Sequence, residues 1–403
     1  MFYGLDVHKE FIQVCVLDAK GTKREEYRIG GSAEEVETFA KKLQPSDQVV
    51  LEATFHTWIL HDILSRHVDR VVVANPLQVK AIAQAKIKTD KVDAFTLAKL
   101  LRADFLPEVQ LPDPKAWALR QLVSHRRLLV KQRTATKNSI HAVLNRRLVH
   151  NPNKDPFSKR ARQWMKSLEL PAAESFLLQN SMTLLEDLDD RIDAVDQELL
   201  EQASIESNAR LLMTIPGIGV TAAIGLIAAI GDVHRFATPN QLASYFGLVP
   251  RVSQSAGRCH HGQITKTGSS TVRSLAVESA QILARSSSPL TATYWRVRRK
   301  RGHNVAVTAL ARKIVVLVWY LLTKQEPYRY GEPLLARKKL RKATLPELRQ
   351  RSKRVPQTLD AVYEEAGLPP LAHPSKAERR TVAINRRART RISNSLKSNQ
   401  ENE

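Results

Sequence analysis

The chain has 403 residues, enough for two or more domains with separate cores, and 43% of them are hydrophobic. Its net charge of +23 and pI near 10.1 argue against a typical metabolic enzyme and favour a polyanionic partner, either nucleic acid or an anionic membrane surface. Two cysteines, Cys15 and Cys259, cannot build a disulfide framework or a four-cysteine zinc site, so a reducing, cytosolic setting is expected. No uninterrupted apolar run reaches the length of about 18 residues that suggests a spanning helix. The opening "MFYGLDVHKE" carries charge early and lacks a signal-peptide core. The expected partner is therefore soluble nucleic acid, with no membrane.

The first hundred or so residues alternate between strand and helix periods. "FYGLDVHKEFIQVCVLD" reads as two strands joined tightly around His8 and Lys9, and "KREEYRIGG" as a third. "SAEEVETFAKKL" follows as a helix, with Ser32 as its N-cap, acids in the first turn and lysines in the last. "QVVLEA" is a short buried strand, a helix follows near Trp58 to Arg66, and "RVVVANP" is a strand stopped by Pro76. Two more helical stretches close the region, the second over Ile87 to Leu101. This order predicts a mixed α/β sheet with helices packed on it.

From Ala116 to Leu148 one long, strongly basic helix is predicted, with Leu119, Leu122, Leu129, Ile140, Val143 and Leu144 as its apolar stripe. Residues 151–171 read as a connector. "LLQNSMTLLEDLDDRIDAVDQELLEQ" then places Leu178, Leu185, Ile192 and Leu199 at heptad spacing, with Leu188 and Val195 between them. This helix is acidic and the previous one basic. The two can pair antiparallel within the chain, across a dimer, or both, and dimerisation is the expectation. Residues Arg210 to about Leu322 form a compact helical region with short turns. Beyond it the chain is polar and basic, and is expected to be disordered or ordered only on a partner.

Several acids stand where they cost free energy. Asp6 lies mid-strand between apolar neighbours, and Glu52 ends a buried strand. Asp90 and Asp93, three residues apart, share one helix face. Taken singly, Asp6 is a turn acid, Glu52 a salt-bridge partner, and Asp90 with Asp93 an N-cap pair. If the helix start packs over the two strands, four carboxylates converge and call for divalent metal. Mg²⁺ suits hard oxygen ligands, and two such ions about 4 Å apart serve phosphoryl transfer. The strand–strand–helix order favours a ribonuclease-H-like metal site.

Further along, Ile215-Pro216-Gly217-Ile218-Gly219 precedes an alanine-rich helix and looks like a helix-hairpin-helix, in which glycines let a phosphate approach free amides. The alternative is a plain tight turn between packed helices. "YFGLVPR" leads into a polar loop with Ser253, Ser255, Arg251, Arg258 and Lys266. Cations near a serine can hold a phosphodiester for nucleophilic attack, although most loop serines are turn residues. Cys259, His260 and His261 are too crowded to share one tetrahedral zinc and lack a second pair at finger spacing.

In this order "GLDVHK", "LEAT", "KTDKVDA", "IPGIG" and "YFGLVPR…SAG…ITKTG" resemble the DEDD-type insertion-sequence transposases of the insertion-sequence one-ten family, the bridge-RNA-guided serine recombinases. The resemblance covers about residues 1–325. It implies a RuvC-like catalytic domain over 1–110 and long coiled-coil helices for dimerisation over 111–205. A mainly α transposase domain with the helix-hairpin-helix and serine loop would span 206–325; beyond the resemblance, composition alone predicts a basic, flexible tail over 326–403. The resemblance implies Asp6, Glu52, Asp90 and Asp93 as ligands of Mg²⁺, with two ions and Mn²⁺ able to substitute, and Ser255 as nucleophile. The family's first loop serine falls on Gln254, a departure that keeps Ser253 in reserve. Lys88, Lys91, Gly217, Gly219, Arg251, Arg258 and Lys266 are the expected nucleic-acid contacts. Expected partners are donor and target DNA, a structured noncoding guide RNA and further copies as a homodimer or tetramer, in a prokaryotic cytoplasm and close to the nucleoid.

Overall fold

The computed structural model describes residues 1–83, 89–255, 258–343 and 358–372. They form two compact units, Met1–Leu111 and one beginning at Pro112.

The N-terminal unit is built on a five-stranded sheet in the order β3-β2-β1-β4-β5. Its strands are β1 (Phe2–Val7), β2 (Phe11–Leu17), β3 (Lys23–Gly30), β4 (Gln48–Glu52) and β5 (Arg70–Ala74). The first three run antiparallel, whereas β1–β4 and β4–β5 are parallel. Both faces of the sheet are covered, as parallel strands require. On one face α1 (Ala33–Ala40) and α2 (Thr57–Leu64) pack over Leu5, Val14, Val49 and Leu51. Ser32 and Glu35 close a capping box at the start of α1, as its sequence predicts. The other face carries α4 (Asp90–Arg102), with α3 (Pro76–Ile82) beside it. Pro76 does not merely stop β5. It occupies the first turn of α3, where its missing N–H costs nothing, and Asn75 caps the helix.

The C-terminal unit opens with α5 (Pro114–Arg146), α6 (Lys159–Lys166) and α7 (Ala172–Ile205). The long helices pair antiparallel within the chain, and Arg126–Asp196, Arg133–Asp189 and Arg147–Glu174 mark the register. The heptad residues Leu178, Leu185, Leu188, Ile192 and Leu199 are buried. The seam expected to join two copies is thus filled from within one chain, by α5 and by α6 from the supposed connector.

Next come α8 (Ser207–Met213), α9 (Val220–Ile230), α10 (Pro239–Tyr245), the hairpin β6 (Pro250–Ser255) and β7 (Arg258–Ile264), and α11 (Ser270–Leu283). The segment read as a polar loop is this antiparallel hairpin. The helix α12 (Thr291–Lys324) is broken at Gly302, whose φ of 79° lies outside the helical region. Although Arg312 and Lys313 interrupt its apolar run, it contains an 18-residue stretch apolar enough to cross a membrane by composition. Half of that stretch is buried, with Ala306, Leu310, Ile314 and Val318 in the core of the unit.

Leu119, Val123, Leu199 and Ala203 join the same core as residues 209–368, so the long helices and the following region are one unit rather than two. The expected tail from 326 also begins inside it. The helices α13 (Pro333–Leu340) and α14 (Leu359–Glu365) pack there through Ala336, Leu340, Val362 and Tyr363. Tyr363 donates to the Tyr328 carbonyl at 2.6 Å, and Arg337 grips Glu365 at 2.7 and 3.0 Å. Short apolar helices inside a basic stretch carry little sequence signal, and their order comes from burial.

Candidate active site

The acids of the N-terminal unit are placed by strand parity. Side chains alternate across a strand, so Gly4 and Asp6 share a face. Gly4 lies under α4, where a Cβ would overlap the Ala94 carbonyl and crowd Ala98. Asp6, one step on, therefore projects on the α4 side, toward the start of that helix. The parallel register pairs Leu5 with Leu51. Val50 packs against Leu97 and Leu101 of α4, and Glu52 follows it on the same face. Adjacent parallel strands thus end with Asp6 and Glu52 in step on the α4 face.

The simple account of Asp90 and Asp93 as caps is not what the helix uses. Thr89 is the N-cap, accepting from the Val92 amide at 3.3 Å. The two aspartates stand in the first turn, where the helix dipole favours anions. His8 Nε2 lies 3.1 Å from Asp6 Oδ2 and 3.3 Å from Asp90 Oδ1, tying the two acids together. Arg28 Nη2 reaches Asp90 Oδ2 at 3.2 Å. Its guanidinium also lies 4.2 Å from the Phe11 ring centre and donates to buried Gln13.

Asp6 is the most enclosed of the group, with 13% of its side chain exposed. Burial pushes its carboxyl above the usual carboxylate range. His8 opposes that rise by charge and hydrogen bond, and Asp93 and Asp90 add to it. Asp6, Asp90 and Asp93 are thus close enough to feel one another's charge. Ligand atoms of Asp6, His8 and Asp90 all lie within 4.8 Å of one another. Hard carboxylate oxygens, one of them desolvated and destabilised by its neighbours, form a donor set that suits a divalent cation.

His8 and Arg28 were not singled out in the sequence. His8 had a usable signal, because strand alternation places it two positions beyond Asp6. Arg28 had none, since its approach depends on the β2–β3 register that sets it opposite Gln13. Lys91 forms an ion pair with Glu26 at 2.9 Å. Lys88 lies outside the described residues.

The other predicted residues belong to the C-terminal unit. Ser253 and Ser255 sit on β6, opposite His260 and Arg258 of β7. Ser253 is exposed, and Ser255 stands at the turn end of its strand. Arg251 and Lys266 are exposed, and the side chain of Arg258 is outside the described residues. Gly217 and Gly219 lie between α8 and α9. Gly217 has φ +92° and abuts the Ser279 carbonyl of α11, so both its backbone angle and its close packing demand glycine. Gly219 faces open space at the start of α9.

The DEDD transposase model of the IS110 group matches residues 3–148, and the model described as "Transposase IS116/IS110/IS902 family" matches 209–296. The transposase for insertion sequence element IS1111A of Coxiella burnetii is 28% identical over 347 residues, covering 81% of this chain and 91% of that protein. A probable family 20 transposase of Pseudomonas aeruginosa is 28% identical over 81% of this chain and 98% of its own length. The pilin gene-inverting protein of Moraxella bovis is 28% identical over 70% of this chain and 81% of its own length. With a DEDD transposase domain on the acid-bearing sheet and its partner domain around the hairpin, the chain belongs to the IS110 family of transposases, enzymes that act on DNA.

Proposed function

We propose that the protein is the recombinase of an insertion sequence, cutting and rejoining donor and target DNA through a covalent phosphoserine intermediate. The observation that carries this reading is the gathering of Asp6, Asp90 and Asp93 at one helix start, with Glu52 in step on the same sheet face. Such a cluster, with Asp6 desolvated and its neighbours repelling it, is costly without a bound cation, and acids perturbed in this way mark a candidate site of chemistry. A relative named for inverting a pilin gene supports rejoining of DNA over simple hydrolysis.

In this reading the Ser255 Oγ attacks the phosphorus of a phosphodiester. The Ser255 O–P bond forms, the P–O3′ bond breaks, the serine proton leaves to solvent, and the departing 3′ oxygen takes up a proton. Attack by a second 3′ hydroxyl on the phosphoserine reverses the sequence and joins a new strand. Asp6, Glu52, Asp90 and Asp93 would hold Mg²⁺, with Mn²⁺ as a substitute. Bound there, the metal would neutralise charge on the reacting phosphate. His8 and Arg28 hold the acids in place beforehand. Arg251, Arg258 and Lys266 of the hairpin region, and Lys88 and Lys91 of the N-terminal unit, would serve as phosphate contacts. The RuvC-like sheet and a helix-hairpin-helix at α8–α9 complete the scheme. The noncoding guide RNA and the dimer or tetramer follow from the family resemblance. The high positive charge and the exposed Phe176, Leu177 and Leu184 on α7 suit them.

The test is trapping. The protein with its copurifying RNA, Mg²⁺ and DNA bearing the element ends should give a protein–DNA adduct that survives denaturation. Ser255→Ala should abolish it. An adduct that persists in Ser255→Ala but vanishes in Ser253→Ala moves the nucleophile to Ser253. Cleavage by both variants, with no adduct in any protein, would show a hydrolytic nuclease instead.

A further inference from the structure

A cleft of about 170 Å³ opens in the C-terminal unit between α5, α9, α10 and α11. Its polar lining is Arg120 and Ser124 of α5, Tyr245, and Ser269 with Thr271 at the start of α11. Arg120, Ser124 and Arg127 are spaced by four and three residues, so they share one face of α5. We infer that this cleft is a binding site for a nucleic-acid phosphodiester.

Arg126, Arg133, Arg147 and Arg162 each pair with an acid of α7. Arg120 in the cleft wall, and Arg127 and Arg273 just behind it, do not. Arg120 donates to the Ala228 and Ala229 carbonyls at 2.8 and 3.2 Å. Arg127 donates to the hydroxyls of Thr271, Ser274 and Ser270 at 2.9, 3.2 and 3.3 Å. Arg273 donates to the Gly268 and Phe246 carbonyls at 3.1 and 3.4 Å. Among the described residues none of these three guanidiniums is paired with a carboxylate. Neighbouring positions on one helix, Arg126 and Arg127, thus have opposite fates, one neutralised and one not.

Neutral acceptors orient a guanidinium but leave its charge unspent. Burial, and then the nearby Arg127, hold the Arg273 guanidinium below its usual range. Arg120 is likewise lowered, chiefly by burial. An anion in the cleft would relieve this crowding of like charges, and fork-shaped donors suit phosphate oxygens. Exposed serine hydroxyls add donors without adding competing negative charge.

The location links the cleft to the hairpin. Helix α11 begins six residues after β7 ends. Arg273 bonds the Gly268 carbonyl, and a Cβ at Gly268 would overlap the Tyr245 carbonyl, so the cleft wall is also the root of the Ser253–Ser255 hairpin. A phosphate held here would anchor a strand relative to that hairpin. In this last respect the inference rests on the proposed recombinase reading.

The experiment measures fluorescence anisotropy of a labelled DNA duplex of arbitrary sequence and of a labelled RNA hairpin, in EDTA, across a salt series. Arg127→Gln should weaken binding by roughly 3- to 10-fold and lower the salt slope by about one, whereas Arg127→Lys should keep the slope. Ser124→Glu should weaken binding and Ser124→Lys strengthen it. Ser124 is exposed on a helix, so this opposed pair decides the matter even if Arg127→Gln folds poorly. Weakening on the duplex alone identifies DNA, on the hairpin alone RNA, and on both a shared backbone contact. Unchanged affinity and slope on both probes would overturn the inference. Failure of the recombinase reading looks different: wild-type protein forms no adduct, yet these binding differences persist.

Discussion

The two units handle difficult charges in opposite ways. In the N-terminal unit, Asp6 and Asp90 are each met by a cationic or titratable partner, His8 and Arg28. At and beside the cleft of the C-terminal unit, Arg120, Arg127 and Arg273 are met, among the described residues, by carbonyls and hydroxyls. The first arrangement holds acids together until a stronger cation competes for them. The second fixes the direction of a charge without neutralising it, which suits an anion that arrives from outside. Between these extremes stands the α5–α7 hairpin, where arginines and acids cancel in pairs and the helices are simply held in register.

The largest effect that separates the two modes is expected at Asp6. Asp6→Asn should reduce strand transfer by roughly 10³-fold, the scale of losing a group that acts on the transition state. Binding of duplex DNA in EDTA should stay within about twofold of wild type, because neutralising the acid removes no phosphate contact. A comparable fall in binding would mean that the acids organise the nucleic-acid surface and not the chemistry.

Arg337 is the contrasting arginine of the C-terminal unit, since it does have an acid, Glu365, and both are nearly buried. Glu365→Ala should cost roughly 2–3 kcal/mol in urea unfolding, because it strands a guanidinium that the cleft arginines avoid by bonding to carbonyls. Replacing the pair together, Arg337→Met with Glu365→Leu, should recover most of that loss. Failure to recover would point to a role beyond stability.

A further effect, of similar size, concerns Lys339, whose Nζ donates to the Ile215 carbonyl at 2.8 Å. Burial lowers its folded-state pKa to about 7 from the ordinary 10.5. Between those values the unfolded chain binds more protons, so this group makes stability rise with pH from about 7 upward. Its cost is fully present below that range. Unfolding free energies from urea melts at pH 7 and 9.5 should therefore differ in wild type by roughly 2–3 kcal/mol, a difference that Lys339→Met removes. An unaltered difference in the variant would assign the titration to another group.

Much of the candidate site was legible because its signals are local. An aspartate inside "YGLDVHK" and a glutamate closing "QVVLE" are conspicuous among apolar neighbours, and the spacing of Asp90 and Asp93 marks one helix face. The partners of these acids were less visible, because His8 and Arg28 reach them only through strand pairing. The seam of α7 was legible as apolar, but its partner stayed open between α5 of the same chain and a second copy, since heptad spacing says which face is buried and not against what. The helices after residue 326 were missed because two short turns of helix in a basic background look like a solvated tail.

The sequence by itself determined the elements that a few neighbouring residues specify: the Ser32 capping box, the alternation of β1 and β2, the heptads of α7 and the acids set into apolar strands. Capping, parity and period act over one or two turns and survive in any context. Only the tertiary structure decided which faces meet: Asp6 and Glu52 in step through the β1–β4 register, α5 against α7 within one chain, and α13 and α14 against the helical core. Those choices are made by burial of apolar surface between distant segments, and that energy belongs to the pair of surfaces and to neither segment alone.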